Sequence, residues 1–198
     1  MIDLKKQSVL LLFSLFILFG SAAAQTTWVH DPMHSKLGFT VTHLGIADVP
    51  GYFDDYQVTI VSSKPDFSDA VVELQAQTKS INTQVEQRDK HLRSPDFFDV
   101  EKYPELTFKS TAVKKLKDNN YELTGNLTIH GTTKQIKANM LYRGTTANPN
   151  AKGAPVAGIQ ITATIKRSDF GIGPDFPPPM ISDEVIIKAD GEFGHKAK

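Results

Sequence analysis

Histidines 30, 34 and 43 fall within fourteen residues of one another, with Asp31 and Ser35 among them. Imidazole and carboxylate are metal ligands, but an ion needs at least three donors converging on one point and a supporting second shell. Four positions along a strand keep His30 and His34 on one face yet roughly 13 Å apart. The spacing therefore predicts no metal site. Ser35 beside His34 has the residue types of a nucleophile and its base. Adjacent strand residues point to opposite faces, and the chain has no G-x-S-x-G elbow. Cysteine is absent, which removes thiolate nucleophiles, thiolate metal sites, disulfides and an acylated lipobox. No catalytic residue is expected. Arg167 is different, because it continues the parity of Ile161, Ala163 and Ile165 and so points inward at a strand end. An inward guanidinium can meet a phosphate or phenolic head group, or clamp Asp169 or Asp183 to pin the Ser168-Asp169-Phe170-Gly171 turn.

The elements that must position these residues alternate with period two. One apolar and one mostly polar face is seen in Leu37–His43, Tyr52–Val61, Val72–Gln77, Leu106–Lys109, Tyr121–Ile129, Gln135–Tyr142, Ile159–Lys166 and Val185–Phe193. One-sided strands belong to antiparallel sheets, since parallel strands are apolar on both faces. Asp118-Asn119-Asn120 and His130-Gly131 read as tight turns, and residues 147–153 as a longer polar loop. Asn82 to Arg93 predicts the one short surface helix, capped by Asn82 or Thr83 and ended by Ser94-Pro95. Eight such strands bury their faces best as a closed, extended antiparallel barrel, because closure removes exposed edges. The fold class is all-β. An outer-membrane barrel would carry its apolar face outward. Here the polar faces are rich in Lys, Glu and Gln, so the apolar face turns inward. The inward set mixes large residues with Ala76, Ala138, Ala163, Ala189, Gly125 and Gly191. These either pack against large neighbours or leave a lumen.

The chain has 198 residues, 22 basic and 22 acidic, and a formal net charge of zero. A neutral chain has no global attraction to nucleic acid or to an anionic membrane. Lys5 and Lys6 precede the apolar run Val9–Gly20, and Ser21-Ala22-Ala23-Ala24 follows. That is the layout of a secretory signal cleaved after Ala24. The run is twelve residues, against ~20 for a membrane span. Residues 1–24 are thus expected to be removed and residues 25–198 to form one domain. The mature protein would be nearly neutral, periplasmic or secreted, and without an integral membrane segment.

Three blocks carry a family resemblance. The first is Trp28-Val29-His30-Asp31-Pro32-Met33-His34-Ser35, continuing through Phe39–Leu44 to Gly51-Tyr52-Phe53. The second is Arg88-Asp89-Lys90-His91-Leu92-Arg93-Ser94-Pro95-Asp96-Phe97-Phe98-Asp99-Val100, then Tyr103-Pro104 and Phe108-Lys109-Ser110. The third joins Leu123–Gly131 to Ile165–Gly171 and Ser182-Asp183-Glu184-Val185. Together they resemble the YceI-like family of exported proteins, over nearly all of residues 25–198. The resemblance implies a lipocalin-like barrel whose lumen holds a long isoprenoid, a quinone-like lipid or a fatty acyl amphiphile. It implies no cofactor and no catalysis. The stretch Gly173–Met180 departs from the pattern, being richer in proline and apolar residues than a connecting turn requires.

The expected lumen and mouth comprise Phe39, Val41, His43, Phe53, Leu74, Phe97, Phe98, Phe108, Leu123, Leu127, Met140, Ile161, Ile165, Arg167, Phe170 and Phe193. Phe97-Phe98 would act as a plug or a gate. A strand of about ten residues is roughly 33 Å long, which suits a thin chain, and each buried CH2 is worth ~0.8 kcal/mol. The residues alone leave two other readings open. One is an enzyme acting on a lipid-like substrate through Asp31, His34 or His43; the other is an interaction module that uses its outer surface. A homodimer is compatible with the sequence.

Overall fold

The structure, a computed structural model, describes residues 24–195. The signal-peptide reading falls on residues 1–23, outside the described residues, apart from Ala24. The strands in chain order are β1 (Thr26–His43), β2 (Ala47–Phe53), β3 (Tyr56–Ser62), β4 (Val71–Gln77), β5 (Ile81–Asn82), β6 (Glu105–Lys115), β7 (Asn120–Ile129), β8 (Thr132–Asn148), β9 (Ala154–Lys166) and β10 (Glu184–His195). The helix α1 (Glu86–Arg93) lies between β5 and β6. All pairings are antiparallel. The ring runs β1-β3-β4-β6-β7-β8-β9-β10 and closes where β10 pairs β1, so the barrel has eight strands as the alternation predicts. Among the described residues no helix is long and apolar enough to cross a membrane.

The first strand is longer than its alternation suggests, and it serves two partners. Its start pairs β3, from Thr26↔Ser62 to Val29↔Thr59, and its end pairs β2, from Leu37↔Phe53 to His43↔Ala47. Between these stretches the register against β10 slips, from His30↔Phe193 to Ser35↔Gly191. The extra residues bulge outward and reverse the parity, so Trp28 and then Leu37 both face inward. At this fork the His30 Nδ1 accepts the Val58 N–H at 3.1 Å, replacing a ladder acceptor that β1 no longer offers.

Two sequence expectations need correction. Tyr52–Val61 is not one strand. A turn at Asp54-Asp55 separates β2 from β3 and changes the inward parity, from Gly51 and Phe53 to Val58 and Ile60. The helix starts at Glu86, and neither Asn82 nor Thr83 caps it. The Asn82 side chain instead accepts the Gln84 N–H at 2.8 Å, and Gln84 takes a left-handed backbone (φ 63°) that separates Thr83 from the helix. The expected turns are present. His130 (φ 50°) and Gly131 (φ 72°) join β7 to β8 in two residues, as positive φ at both positions allows.

The interior divides into two halves. One half is packed solid around Ile60, Val72, Tyr121, Leu123, Met140 and Ile159. Phe67, on the β3–β4 loop, closes its end with ring centroids 5.2 Å from Trp28 and 4.9 Å from Tyr142. Gly125, Gly51 and Gly191 serve packing. An added Cβ at Gly125 would lie 2.5 Å from the Phe108 ring, at Gly51 2.2 Å from the Phe39 ring, and at Gly191 2.0 Å from the Ser35 hydroxyl. The other half, beneath β2, β5 and α1, is open.

Candidate functional site

The open half of the barrel is a cavity of ≈ 420 Å³. The end of β1 contributes Leu37, Phe39 and Val41, and β2 contributes Val49 and Phe53. Leu74, Leu106, Leu127, Ile129 and Ile165 come from β4, β6, β7 and β9, and Val185 and Ile187 from β10. These are the inward positions of one-sided strands, so the wall is apolar because the strands alternate. Two segments outside the ring complete it. One is α1 with its following turn (Arg88, His91, Leu92, Phe97, Phe98), and the other is the β9–β10 connection (Ile172, Phe176, Met180, Ile181).

These two segments meet through aromatic rings. Phe97 stacks on Phe176 at 4.9 Å between centroids, and His91 stands edge-on to both, at 5.1 and 5.4 Å. Phe98 meets Phe53 edge-on at 5.8 Å. The pair is thus both closure and wall. Gly173 permits the contact, since its φ is +60° and an added Cβ would lie 2.7 Å from the Phe97 ring. Below α1, the buried Asp89 carboxylate accepts the Thr83 backbone N–H at 2.8 Å and the Thr83 hydroxyl. Arg88 donates from Nε to the Thr83 hydroxyl (2.7 Å) and from Nη2 to the Thr83 carbonyl (2.9 Å).

Arg167 is buried at the cavity wall, and neither of its expected partners holds it. Its guanidinium donates to five carbonyls: Ser182 (3.0 Å), Ile172 (2.9 Å), Gly173 (2.7 Å), Ile181 (3.1 Å) and Phe176. A guanidinium has five N–H donors, so none is left for a head group. The carboxylate clamp also needs correction. Asp183 accepts the Ser168 N–H (3.0 Å) and hydroxyl (2.9 Å), pinning the turn without Arg167. Burial opposes ionisation of Asp183, but these hydrogen bonds and the nearby Arg167 charge lower its pKa. Arg167 thereby ties the β9–β10 connection to the barrel, which explains how the proline-rich stretch Gly173–Met180 comes to serve as cavity wall.

Of the expected lining residues, Phe39, Val41, His43, Phe53, Leu74, Phe97, Phe98, Leu127, Ile165 and Arg167 lie on the cavity wall. The other six lie off it. Leu123, Met140 and Phe193 face inward at the packed half, where their neighbours leave no space. Phe108 lies over Gly125, Ile161 packs against the core, and Phe170 is buried beneath the turn after β9. Alternation assigns a face but not a height along the barrel. Arg88, His91 and Leu92 were not anticipated; their i, i+3, i+4 spacing was the available signal.

The first-block side chains do not converge. His43 is exposed at the rim, Ser35 is buried with its hydroxyl 3.3 Å from the Glu192 carbonyl, and His34 points outward. Asp31, His34 and Glu192 do gather on the outer bulge, with donor atoms within 4.8 Å of one another. The Asp31 carboxylate, 3.0 Å from the His34 Nδ1, raises the His34 pKa. One buried polar atom lacks a partner among the described residues, the Tyr56 hydroxyl, and burial raises its pKa.

Residues 28–193 match the YceI-like domain. A UPF0312 protein of Pectobacterium atrosepticum is 38% identical over 173 residues, 87% of this chain and 88% of that protein. The crystal structure of a Campylobacter jejuni YceI protein is similar with a TM-score of 0.71 and 31% identity, covering 79% of this chain and 90% of that one. A polyisoprenoid binding domain from Saccharophagus degradans has the same fold, with a TM-score of 0.62, 14% identity, and 87% and 100% coverage.

Proposed function

The chain belongs to the YceI-like domain family, and from that premise we propose that it is an exported, periplasmic or secreted carrier or store for an amphiphilic lipid, an isoprenoid or fatty acyl chain, held in the barrel. One observation carries the reading: an apolar cavity of ≈ 420 Å³ inside the barrel, with its exposed polar side chains gathered at the rim. At ~0.8 kcal/mol per CH2, a chain of 15 carbons gains on the order of 12 kcal/mol. That offsets an association cost of roughly 4–15 kcal/mol without any specific polar contact. The Saccharophagus degradans domain, described as polyisoprenoid binding, shares the architecture; at its low identity it supports the fold, and the ligand reading rests on the cavity. In this reading the protein performs no chemistry and needs no cofactor.

Purification from the native host followed by native mass spectrometry tests the proposal. The expected result is a co-purifying lipid at one per chain, lost when Ile187→Trp or Val41→Trp fills the cavity. No lipid on native protein, and no binding of added amphiphiles by delipidated protein, would refute it.

A further inference from the structure

Resting on the reading of this cavity as a lipid site, we infer that its occupant is a single chain of about 17 carbons ending in an anionic oxygen-acid head, scaling from benzene's fit in a cavity of ~150 Å³. That scale is about 25 Å³ per carbon, and the cavity here is ≈ 420 Å³. Depth is limited by the fold. The barrel below the cavity is filled by Leu123, Met140 and Tyr121, and its far end is closed by Phe67 against Trp28. A tail whose head stays at the rim must end where the packed half begins. A polyprenyl chain of 40 carbons would leave more than half its length outside.

The head-group class follows from the polar atoms that face the cavity. Among the described residues its lining contains neither Asp nor Glu, and its cationic side chains are Arg88 and Arg167. Arg167 has every N–H engaged by carbonyls. Arg88 does not. Its Nε and Nη2 donate to Thr83, which leaves Nη1 without a partner among the described residues. The Thr83 hydroxyl already donates to Asp89, and the His91 Nε2 is paired with Asp96 at 2.9 Å. His43 stands exposed at the same rim. An anion entering the mouth meets an unengaged guanidinium N–H, the donor best matched to a carboxylate or phosphate. An ammonium head finds no carboxylate among the described lining residues, and Asp96, just outside the lining, is already paired with His91.

Delipidated protein is titrated by calorimetry with saturated carboxylates of 8 to 20 carbons, hexadecan-1-ol, hexadecylamine, farnesyl phosphate and a polyprenyl phosphate of about 40 carbons. Affinity should rise about fourfold per added CH2 up to about 16 carbons and then level or fall. Hexadecanoate should bind at least tenfold tighter than the alcohol or the amine. Arg88→Gln should bring the acid-to-alcohol ratio close to one, and Arg88→Lys should restore most of it. Thermal melts of both variants verify that the fold is intact. Comparing hexadecanoate with farnesyl phosphate identifies the source of the anionic chain, fatty acyl or isoprenoid. Equal binding of acid and alcohol, or tightest binding by the 40-carbon chain, would overturn the inference while leaving the lipid site standing. Absence of binding by every amphiphile would overturn the lipid reading itself.

Discussion

Replacing Arg167 with Met keeps an unbranched apolar stem, shorter than that of Arg, and removes five hydrogen bonds from a cation that is 6% exposed. At about 1.5–3 kcal/mol for each bond to a charged group, the gross loss is roughly 7–15 kcal/mol. Much of it is recoverable. Residues 177–180 are exposed, so the connection can swing out and hydrate its carbonyls. Ile172 and Gly173 are buried and cannot do so without leaving the wall. The net cost should be that of breaking a buried charged network, about 3–5 kcal/mol. With a urea m-value of about 2 kcal/mol/M, the unfolding midpoint should fall by about 1.5–2.5 M. Trp28, the only tryptophan, sits in the packed half and reports global unfolding. Hydrogen exchange at residues 171–182 reports the local release. Arg167→Lys should recover less than half of the loss, because one ammonium cannot reach five carbonyls. A midpoint within 0.3 M of wild type, about 0.6 kcal/mol at that m-value, with unchanged exchange at 171–182, would refute the reasoning.

Three further outcomes follow from the same structure. Gly125→Ala should lose about 1–3 kcal/mol from overpacking, because the new Cβ would lie 2.6 Å from the Lys109 carbonyl and 2.5 Å from the Phe108 ring; chemical denaturation measures this, and a neutral result would contradict the packing described. Asp89→Ala should cost about 1–3 kcal/mol and raise hydrogen exchange in α1, since it orphans the buried Thr83 N–H; protection equal to wild type would mean that Asp89 does not dock the helix. Burial opposes ionisation of Asp69, yet hydrogen bonds from Ser62, Ser63 and Lys64 hold its pKa at about 2, below the ordinary 3.8. A depressed carboxyl contributes stability that is complete above the unfolded value and is lost as pH falls through the folded one. The Tm gap between wild type and Asp69→Asn should therefore narrow as pH drops from about 4 to about 2, and a gap constant across that window would refute the assignment.

The strand faces were legible because alternation is local. Val72 and Ala76, Leu123 and Leu127, Ala138 and Met140 point inward as their parity requires, and one apolar face per strand leaves few architectures besides closure. The turns at Asp118-Asn119 and His130-Gly131 were legible for the same reason. Asp54-Asp55 was not, because Tyr52, Tyr56, Val58 and Ile60 share one parity on its two sides even though Asp54 interrupts it, and the competing partners β1, β5 and β4 show where the chain reverses.

What the sequence alone determined, then, is the set of one-sided strands, their antiparallel pairing into a ring and the apolar character of its interior, all properties of neighbouring residues. Tertiary structure decided how that interior is shared between side chains and empty space. The bulge in β1 moves its end from β3 to β2, Phe67 closes one half, and α1 and the β9–β10 connection roof the other. It also decided the role of Arg167, inward by parity but engaged by carbonyls from residues 172–182 rather than by a carboxylate or a ligand. Period two fixes which way a side chain points. Its height in the barrel, and what waits there, depend on contacts between residues far apart in the chain.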